Sequence, residues 1–380
     1  MKVALSFPGC HRRGGVERVV YECAGFLAAR QHEVTVFADE WEEDSRPGIK
    51  YHRVPVRRQP GFLRGASYYH QCSEALAGER FDVLNTHGAV CPHGGVHWVQ
   101  SVHRAWLERC REFRPPFSPA RIRQRLNPLH PVILKLEESH FRERHYRKLI
   151  ATTEQVREDL HRFYEVPPGD VEVIPNGFSP TEFNPERCAK RRAAVRARLG
   201  LKPDDIALLF VANELDRKGF ETILGAMRIL GSSRLQLLAI GKPPAAAIQK
   251  GAEKFGLSTQ VKACGPTNDV AAYHAAGDLF VLPTQYEAFS LAILESLGSG
   301  LPVITSTVPG ARDAIVPGKN GALVHDPKSG EELAAALAPL LDDHRRAALS
   351  ASTPATARKY QWPTVLEHYE RTLTEHCHGN

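Results

Sequence analysis

The 380-residue chain lacks any long hydrophobic run. Its longest uncharged apolar stretches, Ile206–Ala212 and Ala334–Leu341, fall far short of the ~20 residues a helix needs to cross a bilayer. No secretory leader is expected, because Met1-Lys2 leads only into Val3-Ala4-Leu5-Ser6-Phe7 before Pro8-Gly9. The eight cysteines (positions 10, 23, 72, 91, 110, 188, 264 and 377) form no CxxC pair and no tight cluster. That excludes a disulfide scaffold and points to reduced, cytosolic thiols. Internal repeats and low-complexity tracts are absent as well. So are GxxxxGK[ST], GxSxG, HExxH and DxD. The missing acidic pair argues against a Mg²⁺- or Mn²⁺-dependent nucleotide-sugar site, so no metal is expected.

What is present is the composition of a globular protein. Hydrophobic residues make up 42% and charged residues 24%, with a mean hydropathy of −0.32. A disordered or fibrous chain is excluded. The length is about 2.5 times that of a common domain, so two domains are expected. Net charge is +6, unevenly spread: residues 101–150 hold twelve Lys/Arg against five Asp/Glu, or +7, which leaves −1 for the rest. Such a stretch suits nucleic acid, an anionic membrane surface or an acidic substrate.

Short apolar runs alternate with amphipathic stretches, the signature of βα units and parallel sheets. The first series places strands at Val3–Phe7, Glu33–Phe37, Asp82–Thr86, Val96–Val102, Leu149–Thr152 and Val171–Ile174, with a helix over Val16–Arg30. A polar, basic connector, Glu182–Lys202, separates it from a second series. There the strands are Ile206–Val211, Leu235–Ile240, Val261–Ala263, Leu279–Leu282, Pro302–Thr305 and Ala322–Val324. Helices are predicted at Glu221–Leu230, Ala245–Phe255, Val270–Ala276, Ala288–Ser299 and Gly330–Leu341, and a last one at Pro363–Glu375. Two doubly wound α/β series imply two Rossmann-like domains facing across a cleft. The expected division is 1–180 plus a terminal helix at 361–380, and 181–360. Ligands of such sheets bind beyond the carboxyl ends of the strands, so the loops there are the places to look for chemistry.

Four loops stand out. Tyr286-Glu287-Ala288-Phe289-Ser290-Leu291-Ala292-Ile293-Leu294-Glu295 follows a strand. With a helix starting near Ala288, Glu287 sits at its mouth and Glu295 about 12 Å along the axis. Between them a helix N-terminus offers free N–H groups to a phosphate. A sugar nucleotide matches this layout, with diols at both ends and a diphosphate in the middle. Glu295 is the only charge between Ala288 and Ile304, so it requires a partner if buried. Second, Arg217-Lys218 directly precede a helix start, a position where cations oppose the dipole unless an anion binds. Third, Gly14-Gly15 between strand and helix allows close backbone approach to a ligand. Fourth, His103 follows a strand and belongs to a histidine-rich stretch with His87, His93 and His97. It is a candidate for catalysis; the spacing of these histidines does not suit zinc.

These residues resemble the family 4 retaining glycosyltransferases, which have the two-domain GT-B fold. The resemblance spans nearly the whole chain. The E-x7-E element Glu287–Glu295, followed by Gly300-Leu301-Pro302-Val303-Ile304, is its most specific part. Gly14-Gly15-Val16-Glu17, Val173-Ile174-Pro175-Asn176-Gly177, Arg217-Lys218-Gly219, Gly265-Pro266-Thr267-Asn268-Asp269-Val270 and the Trp362 helix support it. Within the family the chain is most similar to the branch of lipopolysaccharide-core glucosyltransferases. The resemblance implies a C-terminal helix that crosses back to the first domain. It implies that Glu287 contacts the donor sugar, with Ala288, Phe289, Ser290 and Leu291 near sugar and diphosphate. Glu295 would hold the ribose, and Lys218, helped by Arg217, the diphosphate. His103 would lie at the reaction centre, Gly14 and Gly15 on the phosphate or acceptor side, and Pro266 in the loop framing the base. One departure is visible. Many members carry Gly-Arg after the first strand of the second domain, where this chain has Ala212-Asn213-Glu214, which leaves Asn213 among the donor-binding residues.

The expected activity is retaining, metal-independent transfer of a hexose from a nucleotide diphosphate sugar, with UDP the default base. The acceptor is a glycan, lipid-linked or lipopolysaccharide-type molecule of the cell envelope. The nucleotide sugar is a co-substrate, and no cofactor is required. Basic residues and the aromatics Trp106, Phe113, Phe117 and Phe141 between 101 and 150 predict a cytoplasmic protein peripheral on the inner face of the membrane. A GT-B nucleotide-sugar 2-epimerase is the enzymatic alternative, and epimerisation without an acceptor would favour it. A catalytically idle sugar-nucleotide-binding protein is opposed by the intact E-x7-E and Lys218. A nucleic-acid-binding protein finds no RRM, KH, helix-turn-helix or zinc-finger pattern.

Overall fold

Val3, Ala4 and Leu5 are apolar on both faces of the chain, the pattern of a strand covered on both sides. In the computed structural model, which describes residues 1–42 and 46–377, they lie on an inner strand of the first of two large parallel sheets. Strands β1 (Lys2–Ser6), β2 (Gly9–Cys10), β3 (Glu33–Ala38), β4 (Glu40–Trp41), β5 (Ile49–Arg53), β6 (Val83–His87), β7 (Val96–Val99), β8 (Lys148–Ala151) and β9 (Val171–Val173) belong to this half. Seven of them pair in the order β5-β3-β1-β6-β7-β8-β9, all parallel, and β2 pairs with β4. Its helices are α1 (Val16–Ala29), α2 (Arg64–Ala77), α3 (His103–Phe113), α4 (Pro119–Leu126), α5 (Leu129–Glu137) and α6 (Glu154–Tyr164). In α1 the buried Val19, Val20, Cys23, Ala24 and Leu27 recur at helical spacing and cover the sheet.

The second half holds a six-stranded parallel sheet ordered β12-β11-β10-β13-β14-β15. Its strands are β10 (Ile206–Val211), β11 (Leu235–Ile240), β12 (Val261–Gly265), β13 (Leu279–Leu282), β14 (Val303–Ser306) and β15 (Gly321–Val324). The helices are α7 (Pro185–Arg198), α8 (Phe220–Leu230), α9 (Ala245–Lys254), α10 (Val270–Ala276), α11 (Leu291–Gly298), α12 (Pro309–Ala314), α13 (Gly330–Leu337) and α14 (Asp343–Ala357). Ile206, Leu208, Leu209 and Phe210 of β10 are fully buried in one core with Leu237, Phe280 and Ile304, each worth about 1.5–3 kcal/mol of burial.

The final helix, α15 (Trp362–Glu375), belongs to the first compact unit, Met1–Asn176 with Trp362–Asn380; the second is Gly177–Gln361. Its buried Trp362, Val365, Leu366, Tyr369 and Leu373 form one face. The Tyr369 hydroxyl donates to Asn85 Oδ1 at 2.8 Å, and Glu370 takes His32 at 2.7 Å.

Two sequence expectations need correction. The segment Glu182–Lys202 is not a connector but contains α7, started by Pro185 and capped by Asn184, which accepts from the Arg187 N–H at 2.8 Å. Its charges misled the reading, because Arg196 is buried and Arg192 pairs with the same acid as it does. Both meet Asp278, at 2.5 and 3.1 Å, and Asp278 also takes the Ala207 N–H of β10 at 2.7 Å. The strand expected over Val96–Val102 stops at Val99, and α3 begins at His103. Among the described residues no helix is long and apolar enough to cross a membrane.

Candidate active site

In the second unit the loops after β10, β13 and β14 are tied together at the carboxyl edge of the sheet. Gly219 takes φ +79°, and a Cβ there would lie 2.2 Å from the Pro283 carbonyl oxygen, so only glycine permits the approach. The Gln285 N–H donates to Arg217 O at 2.9 Å, and the Arg217 guanidinium donates to Tyr286 O at 2.7 Å. Gly310 N–H donates to Ala288 O at 2.7 Å, again where a Cβ would collide with that oxygen. The Ser306 hydroxyl donates to Thr284 O.

This bracing explains a difference from the sequence reading. Carbonyls of Thr284, Tyr286 and Ala288 bond to neighbouring loops, so the backbone does not enter a helix at Ala288. The helix α11 starts at Leu291, with Ser290 extended at its N-cap and making no side-chain cap. Glu287 therefore stands in the loop before the helix, and an axial separation of 12 Å from Glu295 does not apply. Glu295 lies in the second turn of α11 and is 6% exposed.

Lys218 and Glu287 meet in an ion pair, with side chains only 12% and 22% exposed. Arg217 also bonds Glu214 through two nitrogens at 3.0 Å, so it clamps the loops as well as carrying charge. Asn213 Oδ1 takes the Lys242 N–H at 3.3 Å. Ala288 and Phe289 are buried, Phe289 against Tyr360 at 5.4 Å between ring centroids. Pro266 is exposed just after β12. Chemically, this edge brings Lys218, Glu287 and an uncapped helix start together, groups suited to a polyanion carrying hydroxyl groups. A cavity of about 520 Å³ lies elsewhere, beside the residues that precede β13 and β14, where Arg192 is engaged by Asp278 and Arg346 by Asp343.

His103, Gly14 and Gly15 belong to the first unit. Gly15 is the N-cap of α1, and a Cβ there would touch nothing within 4 Å; Gly14 faces the Glu17 side chain. His103 is the first residue of α3. Its Nε2 lies 3.1 Å from His130 Nδ1, and its ring stacks on Trp106 at 5.2 Å. Burial, then the His130 charge, lowers His103 to about 4, so the ring is neutral near pH 7. Sequence reasoning missed its neighbours on α5, His130 and Glu137.

The other histidines of the stretch each bond the protein through one ring nitrogen, and the second nitrogen of each is buried without a partner. His87 Nε2 meets Asn85 Oδ1 at 2.8 Å, His97 Nδ1 meets Thr86 Oγ1 at 2.7 Å, and His93 Nδ1 meets the Tyr69 hydroxyl at 3.0 Å. Among the described residues no group of three or more His, Cys, Asp or Glu is arranged to hold a metal ion. In the basic stretch Phe141 is buried and Trp106 packs on His103, so these two do not face a membrane as the sequence suggested. Phe117 (91% exposed), Leu126 (75%) and Ile122 (49%) do stand out, around α4 and its Arg121, Arg123 and Arg125.

Comparison with known proteins finds matches over most of the chain. Residues 13–182 match the model described as Glycosyltransferase Family 4, and residues 191–357 match Glycosyl transferases group 1. The lipopolysaccharide glucosyltransferase WaaG of Escherichia coli K12 is 26% identical over 323 residues, 84% of each chain. A D-inositol 3-phosphate glycosyltransferase of Thermobispora bispora is 29% identical over 98% of this chain and 92% of its own. The crystal structure of WaaG superposes with a TM-score of 0.85 at 25% identity, covering 98% of this chain and 99% of WaaG. Anabaena HepE in complex with UDP-glucose shares the fold, with a TM-score of 0.73 at 18% identity, over 99% and 100% of the two chains. The chain belongs to the family 4 glycosyltransferases and has their GT-B fold.

Proposed function

We propose that the protein transfers a hexose from a UDP-linked donor to a lipopolysaccharide-type or lipid-linked glycan, with retention of anomeric configuration and without a metal ion. The observation that carries the reading is the largely buried Lys218–Glu287 pair beside the uncapped start of α11. A lysine held there by a carboxylate is ready to turn to a diphosphate, while the carboxylate is released to bond sugar hydroxyls. The E. coli relative named as a lipopolysaccharide glucosyltransferase supports the acceptor class, and the UDP-glucose complex of HepE supports the donor.

In this mechanism the bond between the sugar C1 and the β-phosphate oxygen breaks, and its electron pair leaves with UDP. Charge on the departing diphosphate is met by Lys218 and by the N–H groups at the head of α11, a preorganised site of the kind that dominates many rate enhancements. The acceptor hydroxyl oxygen forms the new bond to C1 on the face the diphosphate leaves. Its proton passes to the phosphate oxygen. His103, neutral, can bond a sugar hydroxyl without adding a competing cation. The exposed Phe117, Ile122 and Leu126 among arginines would keep the enzyme at an anionic membrane carrying its acceptor.

The test is a transfer assay with UDP, GDP and ADP sugars, each with Mg²⁺ and with EDTA, on wild type and Lys218→Ala. Transfer from a UDP-hexose that survives EDTA is expected, and Lys218→Ala should lower kcat ~100- to 1000-fold with the fold intact. Near-normal turnover in that variant, or complete loss in EDTA, refutes the assignment.

A further inference from the structure

Helix α3 has no local cap. Its N-cap residue is Val102, whose side chain cannot accept a hydrogen bond, so the first N–H groups need a partner from elsewhere. The partner is Glu137, 34 residues on. Its Oε1 takes the His103 N–H at 2.5 Å and its Oε2 the Arg104 N–H at 3.2 Å. The Tyr164 hydroxyl of α6 donates to the same carboxylate at 2.6 Å. Glu137 is 2% exposed.

Glu137 closes α5, and His130 stands in that helix's first turn. Seven residues separate the two, which is two helical turns, so they share a face. That face meets His103 twice. Glu137 holds its backbone, and His130 holds its ring at 3.1 Å. The His103–His130 bond carries one proton, donated by one ring and accepted by the other, so the tautomers of the two rings are coupled. A serine or aspartate at position 102 would cap α3 at far lower cost than a carboxylate taken out of water. The buried acid is therefore not explained by helix capping alone.

We propose that Glu137 and His130 are positioning residues for His103, α5 setting both the place of its backbone and the rotation of its ring. The inference rests on the transferase reading only in assigning His103 to the reaction centre. Around the cluster the charged and titratable groups are Arg104 on α3, Tyr164 on α6, Glu138 directly after α5, and Arg114, which faces His130.

Three variants test it. His130→Phe keeps an aromatic ring and loses the bond; His130→Asn keeps an amide where Nδ1 stood; Glu137→Gln keeps the shape and loses the charge. In His130→Phe and Glu137→Gln, kcat is expected to fall about 10- to 100-fold, with the KM for the donor unchanged within about twofold. His130→Asn should restore kcat to within about threefold of wild type, which a loss of packing alone would not do. The His103 titration is followed separately by NMR of ring-labelled histidine, with His103→Gln assigning the resonance. It should move upward in His130→Phe, because a neighbouring positive charge has gone. A His103 titration and a kcat both unchanged in His130→Phe overturn the proposal. A wild type that accepts no nucleotide sugar refutes the transferase reading instead, and the ring titration then decides the positioning by itself.

Discussion

Glu137 gives a stability signature that needs no substrate. Burial raises its carboxyl to about 7, against an ordinary value of 4.5, and the bonds from Tyr164, His103 and Arg104 only partly offset that. The folded protein therefore binds this proton more tightly than the unfolded chain. The stability it lends is fully present below pH 4.5 and is lost as the pH rises through about 7. At 1.36 kcal/mol per pH unit the whole span is worth about 3.4 kcal/mol, of which about 2.5 kcal/mol falls between pH 5 and pH 8. Glu137→Gln removes the titration and keeps the shape. Going from pH 5 to pH 8, wild type should lose about 2.5 kcal/mol more than the variant. The buried histidines and Asp159, raised to about 6 by burial, titrate in both proteins and cancel in the difference. All four tryptophans (41, 98, 106 and 362) lie in the first unit, so urea unfolding followed by tryptophan fluorescence reports the right half of the molecule. Parallel stability curves for the two proteins across this range would show that Glu137 is ionised throughout and refute the reasoning.

His87 should act with the opposite sign. Fully buried, it is lowered to about 3, so stability is complete above pH 6.5 and declines as the pH falls towards 3, by about 2 kcal/mol at pH 5. His87→Gln, read by the same fluorescence, should remove that share of the acid loss; an undiminished slope contradicts it. At the surface, the protein is expected to sediment with anionic but not neutral vesicles at low salt. Arg123→Ser/Arg125→Ser on α4 should weaken that binding about 30-fold, at ~1 kcal/mol per arginine, and failure of the wild type to sediment removes the membrane assignment.

What the sequence made legible follows from how far apart the cooperating residues lie. Strands β10, β11 and β13 were read to the residue, because an uninterrupted apolar run between polar turns leaves one assignment open. Charge was misread wherever its partner is remote. Arg192 and Arg196 look like a solvated connector until Asp278, some eighty residues on, pairs with both. The start of α11 was misplaced for the same reason, since what unwinds residues 283–290 is bonding to loops around Arg217 and Gly310. Lys218 and Glu287 were each singled out, though their pairing across 69 residues was not visible. Glu137 left the weakest trace: one acid among many in a basic stretch, with His103, Arg104 and Tyr164 all more than twenty residues away in the chain. A rule nonetheless emerges that a sequence can carry. When a helix begins with no Ser, Thr, Asp or Asn before it, as α3 does after Val102, its first N–H groups still require an acceptor. At α3 the acceptor is an acid in a helix packed on it, Glu137, which is buried, raised in pKa and tied to the residue that opens the helix. In this chain that residue is His103.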